Sequence, residues 1–170
     1  MKPKVKSFYH TETYTWTHLV ICTNTNNAIL IDPVLDYNAI NANTSTNFTD
    51  SILRYIGDHN ILLKYVFETH AHADHISSAA YIKGRLNTAT VIGKGITDVQ
   101  KTFKQVFNLD ANFKVDGSQF SLLLHDGEKV SFGDCQVQAM HTPGHTNDSM
   151  SYIIGDYVFI GDTLFSPDYG

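Results

Sequence analysis

The sequence feature that most constrains the fold is a histidine-rich segment that directly follows an apolar run. Leu62–Phe67 is typical of a buried β-strand, and it continues into Glu68-Thr69-His70-Ala71-His72-Ala73-Asp74-His75. In an extended chain His70 and His72 lie on the same side, because side chains alternate with a period of two. Apolar spacing from Asp74 to Leu86 predicts a helix that begins at the last two polar residues of the segment. The fold must therefore bring a strand end and a helix start together around these imidazoles.

Three imidazoles and one carboxylate within six positions indicate a metal site. Neutral imidazole is the commonest protein ligand for zinc, iron and copper near neutral pH, and a carboxylate compensates the charge of the ion. One isolated histidine is more often a surface or core residue, and Asp74 alone would be a helix N-cap. Packing and capping do not require three closely spaced imidazoles, so we predict that this segment binds a metal.

Two later segments can complete the site. His141-Thr142-Pro143-Gly144-His145-Thr146 follows a predicted strand, and its Pro-Gly pair predicts a sharp turn that aims His145 back across the end of the sheet. Gly161-Asp162 follows another predicted strand, where glycine permits close backbone approach. A carboxylate at the end of a buried run needs a partner, although an aspartate there is also a common loop cap. We predict that one histidine of the second segment and Asp162 are ligands.

The remaining sequence predicts an α/β or α+β layered domain. A chain of 170 residues with 42% hydrophobic residues is long enough for one domain with a real core, here residues 1–170. Predicted helices run from Thr49 to about His59 and from Ile96 to Phe107, and residues 41–47 are predicted to form a loop. The predicted strands are Tyr14–Cys22, Ala28–Ile31, Leu62–Phe67, Thr90–Ile92, Phe120–Leu124, Lys129–Phe132, Gln136–Met140, Ser151–Ile154 and Tyr157–Ile160.

Composition excludes several other classes of protein. Twelve basic and seventeen acidic residues give a net charge of −5 without long like-charge runs, which disfavours nucleic acid as a partner. No stretch approaches the ~20 apolar residues of a membrane span, and the N-terminus lacks a secretory pattern, so we expect a soluble, cytoplasmic protein. Cys22 and Cys135 are expected to be two buried thiols.

In this order, the three metal-ligand segments resemble the signature of the metallo-β-lactamase superfamily. More narrowly, four further segments resemble bacterial persulfide dioxygenases: Ile31–Tyr37, Glu68-Thr69, Asp116–Phe120 and Pro167-Asp168-Tyr169-Gly170. The resemblance implies an αββα sandwich of two sheets flanked by helices. Members of this family are longer, so we expect a chain that is truncated at the C-terminus with an incomplete second half. An open sheet edge would favour a homo-oligomer.

The resemblance also implies a chemistry. It implies a single Fe(II) held by His70, His145 and Asp162, a facial triad of two histidines and one carboxylate that leaves positions for substrate and dioxygen. The implied reaction oxidises glutathione persulfide with dioxygen to sulfite and glutathione. His72, Asp74 and His75 would then orient ligands or water from outside the iron's own ligand set.

Two alternatives remain open at this point. In a dinuclear zinc hydrolase of the hydroxyacylglutathione hydrolase or β-lactamase type, His72 joins His70 and His145 on one ion. Asp74, His75 and a bridging Asp162 then hold the other, and the substrate is a thioester or lactam. That pattern uses a further downstream histidine, and the sequence ends eight residues after Asp162, which favours the iron triad. The other alternative is a non-catalytic remnant that binds metal or a partner.

Overall fold

The computed structural model describes residues 2–165; residues 167–170, which carry part of the resemblance, lie outside that range. The strands are β1 (Lys4–His10), β2 (Thr15–Ile21), β3 (Asn27–Ile31), β4 (Val34–Asn38), β5 (Asn43–Ser45), β6 (Leu62–Phe67), β7 (Ile76–Ser77), β8 (Ala89–Gly93), β9 (Leu122–Leu124), β10 (Lys129–Phe132), β11 (Cys135–His141), β12 (Met150–Ile154) and β13 (Tyr157–Phe159). The helices are α1 (Asn47–Asp58), α2 (Ala79–Leu86) and α3 (Ile96–Val106), and Gly161–Thr163 forms a 3₁₀ turn. None of these helices is long and apolar enough to cross a membrane.

The strands form two main sheets and a small ribbon. The first sheet has the order β1-β2-β3-β6-β8-β9, antiparallel from β1 to β3 and parallel from β3 to β9. The second sheet is the antiparallel meander β10-β11-β12-β13, and β4 pairs with both β5 and β7 in the ribbon. This is the mixed α/β architecture expected of the superfamily that the sequence resembles.

The alternation of side chains along β2 explains the layering. Leu19 and Ile21 pack with the buried faces of α1 and α2, whereas Val20 and Cys22 face the second sheet. A strand whose two sides are both apolar must be covered on both faces. Burial of each aliphatic side chain stabilises the folded state by about 1.5–3 kcal/mol. The described residues therefore form a helix layer, a first sheet and a second sheet.

The two cysteines are free and buried, as predicted. They lie on different sheets, since Cys22 follows β2 and Cys135 begins β11, yet both belong to the core between the sheets. The sequence placed them in unrelated strands, and the packing of one sheet on the other brings them into one cluster.

Parallel pairing places several loops at one edge of the sandwich. Asp32 follows β3 and Glu68 follows β6, and both strands are parallel, so their carboxyl ends meet. The backbone N–H of Asp32 donates to the carbonyl of Phe67 at 2.9 Å, and that of Met150 donates to the carbonyl of Thr69 at 2.8 Å. The second contact joins the second sheet to the histidine segment.

One predicted element is wrong in extent. The helix expected over Asp74–Leu86 begins only at Ala79, because Ile76 and Ser77 form β7 and pair with β4. The Ser77 hydroxyl accepts a hydrogen bond from the backbone N–H of Ala79 at 3.0 Å. Neither Asp74 nor His75 therefore lies at a helix N-terminus, and a helix start does not turn His70 and His72 towards each other.

The polar stretch 41–47, expected to be a loop, contains the short strand β5, and strands β1 and β4 were not predicted. The other predicted strands and helices are present within a few residues of their expected bounds. The β2–β3 hairpin also has the predicted antiparallel pairing.

Candidate metal centre

Three segments that are distant in sequence bring His70, His145 and Asp162 together. Asp162 Oδ2 lies 3.4 Å from His145 Nε2 and 3.9 Å from His70 Nε2. One donor atom from each of the three residues fits within a group whose members all lie within 4.8 Å of one another. The turn after β11 thus contributes His145, whereas His141 is exposed and its Nε2 contacts the carbonyl of Asn147 at 2.9 Å.

Hydrogen bonds fix which nitrogen of His70 is free. The Thr69 hydroxyl lies 2.9 Å from Asp32 Oδ2, and because a carboxylate only accepts, the hydroxyl proton is donated there. Thr69 Oγ1 also lies 3.0 Å from His70 Nδ1. Since its own proton is already donated to Asp32, Nδ1 carries a proton and donates it to Thr69 Oγ1. Burial, followed by the nearby charge of His72, lowers the pKa of His70. The remaining nitrogen, Nε2, is buried without a hydrogen-bond partner among the described residues and has the free lone pair that a metal requires.

His72 is held between two buried carboxylates. Its Nε2 lies 3.0 Å from Asp32 Oδ1 and 3.3 Å from Glu68 Oε2. Burial would lower the pKa of His72, but the charges and hydrogen bonds of Asp32 and Glu68 outweigh burial and raise it to about 11. Burial would raise the pKa of Asp32, but the charge of His72 and the hydrogen bonds from His72 and Thr69 outweigh burial and lower it. A histidine whose outer N–H donates to a carboxylate is the arrangement commonly found around metal sites.

Glu68 is a second buried carboxylate in this network. Burial raises the pKa of Glu68 above its ordinary value, against the opposing contribution of His72. The Ser77 hydroxyl donates a short hydrogen bond to Glu68 Oε1, which ties the end of β6 to β7. The buried hydroxyl of Tyr152 donates a hydrogen bond to the backbone carbonyl of Glu68 at 2.7 Å.

Asp74 and His75 lie beside the triad, and neither belongs to the group of converging donor atoms that His70, His145 and Asp162 form. Asp74 Oδ1 lies 3.9 Å from His72 Nδ1, and His70, His72 and Asp74 form a second group of three converging donors. His75 Nδ1 contacts Asp74 Oδ2 at 3.1 Å, and its ring centroid lies 4.1 Å from that of His72. The remaining His75 nitrogen has no hydrogen-bond partner among the described residues. His75 also lines a cavity of about 280 Å³ against α2.

The carboxylates of the centre face an open cleft of about 740 Å³. Asp74 and Asp162 line this cleft together with the exposed aromatic side chains of Trp16 and Phe165. A concave site of this size, with apolar walls and a few converging polar groups, is suited to a small-molecule ligand. None of the lysines or arginines of residues 2–165 lines it.

Sequence reasoning did not assign a role to three buried acids at this edge: Asp32, Glu68 and Asp148. The available signal was positional, since Asp32 and Glu68 each follow a buried parallel strand at the same edge. Asp148 lies three residues after His145, and only the folded chain shows that it is buried.

With this geometry established, comparison with known proteins defines the class. The sequence profile of the metallo-beta-lactamase superfamily matches residues 10–170. The chain therefore belongs to the metallo-beta-lactamase superfamily, a group of metal-dependent enzymes, and its fold and its converging histidines and aspartates agree with that assignment.

Individual relatives carry different names. Glyoxylase B2 from Dictyostelium discoideum is 43% identical over 99% of this chain and 59% of its own length. A hydroxyacylglutathione hydrolase from Prochlorococcus marinus (strain MIT 9312) is 26% identical over 71% of this chain and 44% of its own length. Among solved structures, ETHE1 from Myxococcus xanthus superposes with a TM-score of 0.73 at 29% identity, over 96% of this chain and 59% of that one. The chain thus spans less than two thirds of each of these proteins.

Proposed function

We propose that the protein is a non-haem iron persulfide dioxygenase that oxidises glutathione persulfide with dioxygen to sulfite and glutathione. The observation that carries the proposal is the convergence of two imidazoles and one carboxylate, His70, His145 and Asp162, beside an open cleft. This donor set is typical of mononuclear non-haem iron oxygenases. The likeness to ETHE1, together with the resemblance of the sequence to persulfide dioxygenases, supports the same assignment.

The residues present fit a ferrous ion. His70 Nε2 is a buried nitrogen with a free lone pair, which is costly unless a cation or donor meets it. When bound, Fe(II) supplies the dioxygen chemistry that side chains alone do not perform. Asp162 provides the negative charge and lines the open cleft, so the centre is reached from the cleft through this residue.

The chain's own residues orient the centre and exclude water from its inner side. Asp32 and Thr69 hold His70 in the tautomer that leaves Nε2 unprotonated. Asp32 and Glu68 hold the ring of His72 against that of His70, with ring centroids 4.1 Å apart. On the cleft side, Thr13 and Trp16 line the cleft and would contact a glutathione moiety bound there.

The test is reconstitution followed by an oxygen-uptake assay. The protein is loaded anaerobically with Fe(II) and mixed with glutathione persulfide in air-saturated buffer, and oxygen consumption and sulfite are measured together. We expect equal amounts of oxygen consumed and sulfite formed, and no uptake by Asp162→Ala prepared in the same way. Stoichiometric iron without oxygen uptake would contradict the dioxygenase assignment but would still support the metal site.

A second candidate is a dinuclear zinc hydrolase, and two observations favour it. His70, His72 and Asp74 form a second converging group next to the triad, and a named hydroxyacylglutathione hydrolase is among the relatives. This candidate predicts two zinc ions per chain and hydrolysis of S-lactoylglutathione or nitrocefin. Metal analysis of the zinc-loaded protein, combined with these two assays, separates it from the iron enzyme.

A further inference from the structure

Asp148 is a buried acid that links the two histidine segments. It lies three residues after His145 and is 1% exposed. Its Oδ2 accepts a hydrogen bond from the backbone N–H of Ala71 at 3.0 Å, and Ala71 is the residue between His70 and His72. The carboxylate therefore connects the turn that carries one triad histidine to the segment that carries another.

The burial of this carboxylate is not explained by packing alone. Asp148 Oδ1 is buried and has no hydrogen-bond partner among the described residues. Burying an unpaired polar atom costs on the order of 1–3 kcal/mol. An apolar residue would fill the same space without that cost, so the hydrogen bond to Ala71 is the feature that requires an acceptor here.

The loop between β8 and α3 holds Asp148 from behind. A Cβ atom on Gly95 would lie 2.8 Å from Asp148 Cβ and 2.9 Å from its Cα. Gly93 is similarly close to Met150, whose side-chain Cγ would lie 2.5 Å from an added Cβ. Gly93 at the end of β8 and Gly95 in the loop after it let this part of the chain approach residues 148–150 closely, which leaves Asp148 little freedom to move away from Ala71.

The turn itself is also internally fixed. The hydroxyl oxygens of Thr146 and Ser149 lie 2.6 Å apart, and the backbone N–H of Thr142 donates to the carbonyl of Ser149 at 2.9 Å. A displacement of Asp148 is therefore transmitted to His145 rather than absorbed by the turn.

We propose that Asp148 is a positioning residue that sets the distance between His145 and the His70–His72 segment, and so the affinity of the triad for a divalent metal ion. The proposal rests on the metal-binding part of the proposed function and not on the reaction that follows. Asp148 acts through the backbone of Ala71 and touches neither the ion nor the substrate.

Co²⁺ alone tests the proposal, because its visible absorption reports ligand geometry and its affinity is measured by competition with a chelator. We expect Asp148→Ala to weaken Co²⁺ binding about 10- to 100-fold, the usual effect of losing a residue that supports a ligand, and to change the absorption bands. Asp148→Asn keeps an oxygen that accepts from Ala71, so it should stay within about threefold of the wild type and rescue the spectrum.

A second pair of variants tests the same relationship without touching the acid. Gly95→Ala should weaken Co²⁺ binding because its methyl group displaces Asp148, whereas Gly84→Ala, whose added Cβ meets nothing within 4 Å, should not. This pair decides the matter even if Asp148→Ala does not fold.

The outcomes separate this proposal from the proposed function. Wild-type protein that binds no Co²⁺ would overturn the metal centre itself. Unchanged Co²⁺ affinity and spectrum in Asp148→Ala or Gly95→Ala, in a protein where only thermal stability falls, would overturn the positioning role. Equal weakening by Asp148→Asn and Asp148→Ala would also overturn it, because charge rather than the hydrogen bond would then matter.

Discussion

The imidazole of His72 contacts the carboxylate of Asp32 at 3.0 Å between Nε2 and Oδ1, although 40 residues separate them in the sequence. Both side chains are nearly inaccessible, with 5% and 7% exposure. A buried pair of this kind costs free energy to desolvate, and the hydrogen bonds from Thr69 to Asp32 offset part of that cost. The pair thus connects the end of β3 to the histidine segment and fixes the ring of His72 beside the proposed metal ligands.

Asp32→Asn should strongly destabilise the metal-free protein. Removing one member of a buried charged pair leaves the other charge unpaired, which typically costs about 3–5 kcal/mol. The free energy of unfolding, measured in urea with a chelator present, gives the effect directly. Asp98→Asn serves as the control, because Asp98 is an exposed acid whose ion pair with Lys101 lies at the surface, and it should change stability little. A loss in Asp32→Asn no larger than in this control would contradict the role of the pair.

The triad residues and His72 should differ in metal binding. His70→Ala, His145→Ala and Asp162→Ala each remove a proposed iron ligand and should abolish stoichiometric iron. His72→Ala should retain much of it, with affinity lowered by about tenfold through lost orientation. Iron content after anaerobic loading and desalting measures both effects. Equal loss in His72→Ala would indicate the dinuclear arrangement instead.

Stability should fall in mildly acidic solution, partly because of His18. Burial lowers the pKa of His18, with the charge of Asp32 opposing it, and Ser7 Oγ lies 2.8 Å from its Nδ1. The unfolded chain, with a histidine pKa of about 6.5, then binds more protons than the folded one, so stability is lost as pH falls through that value.

Replacement of His18 by Gln removes this proton uptake on unfolding. As pH falls from about 7 to about 5, the free energy of unfolding of the wild type should decrease more than that of His18→Gln. The change should be at most about 1.4 kcal/mol per pH unit. Urea unfolding of both metal-free proteins across this range measures it, and parallel curves for the two would contradict the assignment.

Gly161→Ala should impair the metal centre through Thr69. Gly161 has a φ of +48°, and an added Cβ would overlap Thr69 Oγ1, the atom that orients His70. Gly127 is a matched control, since its φ is +76° and nothing lies within 4 Å of an added Cβ. Both variants should lose about 1–2 kcal/mol of stability from backbone strain, but only Gly161→Ala should also weaken Co²⁺ binding. Equal Co²⁺ affinity in the two would show that the contact with Thr69 has no effect.

Much of the fold and the metal segments could be predicted from local pattern. The apolar run of β6, the hairpin β2–β3 and the spacing of α1 and α3 are local signals, because periodicity reflects which side of an element is buried. The approach of Gly161 to Thr69 also agrees with the expectation that glycine there permits close contact. The predicted start of α2 was wrong because Ile76 and Ser77 pair with β4. Pairing between segments that are distant in sequence leaves no local pattern.

The sequence by itself determined that the imidazoles and carboxylates of His70, His72, Asp74, His145 and Asp162 lie in segments that follow apolar strands, since residue chemistry and apolar runs are local properties of the chain. Only the tertiary structure decided which atoms converge. It places Asp162 beside His145 and His70, puts His75 at the cavity next to α2, and buries Asp32, Glu68 and Asp148 at the same edge of the sandwich. The physical reason is that distances between donor atoms depend on how the two sheets pack and on which buried acids find partners, and neither is encoded in the neighbours along the chain.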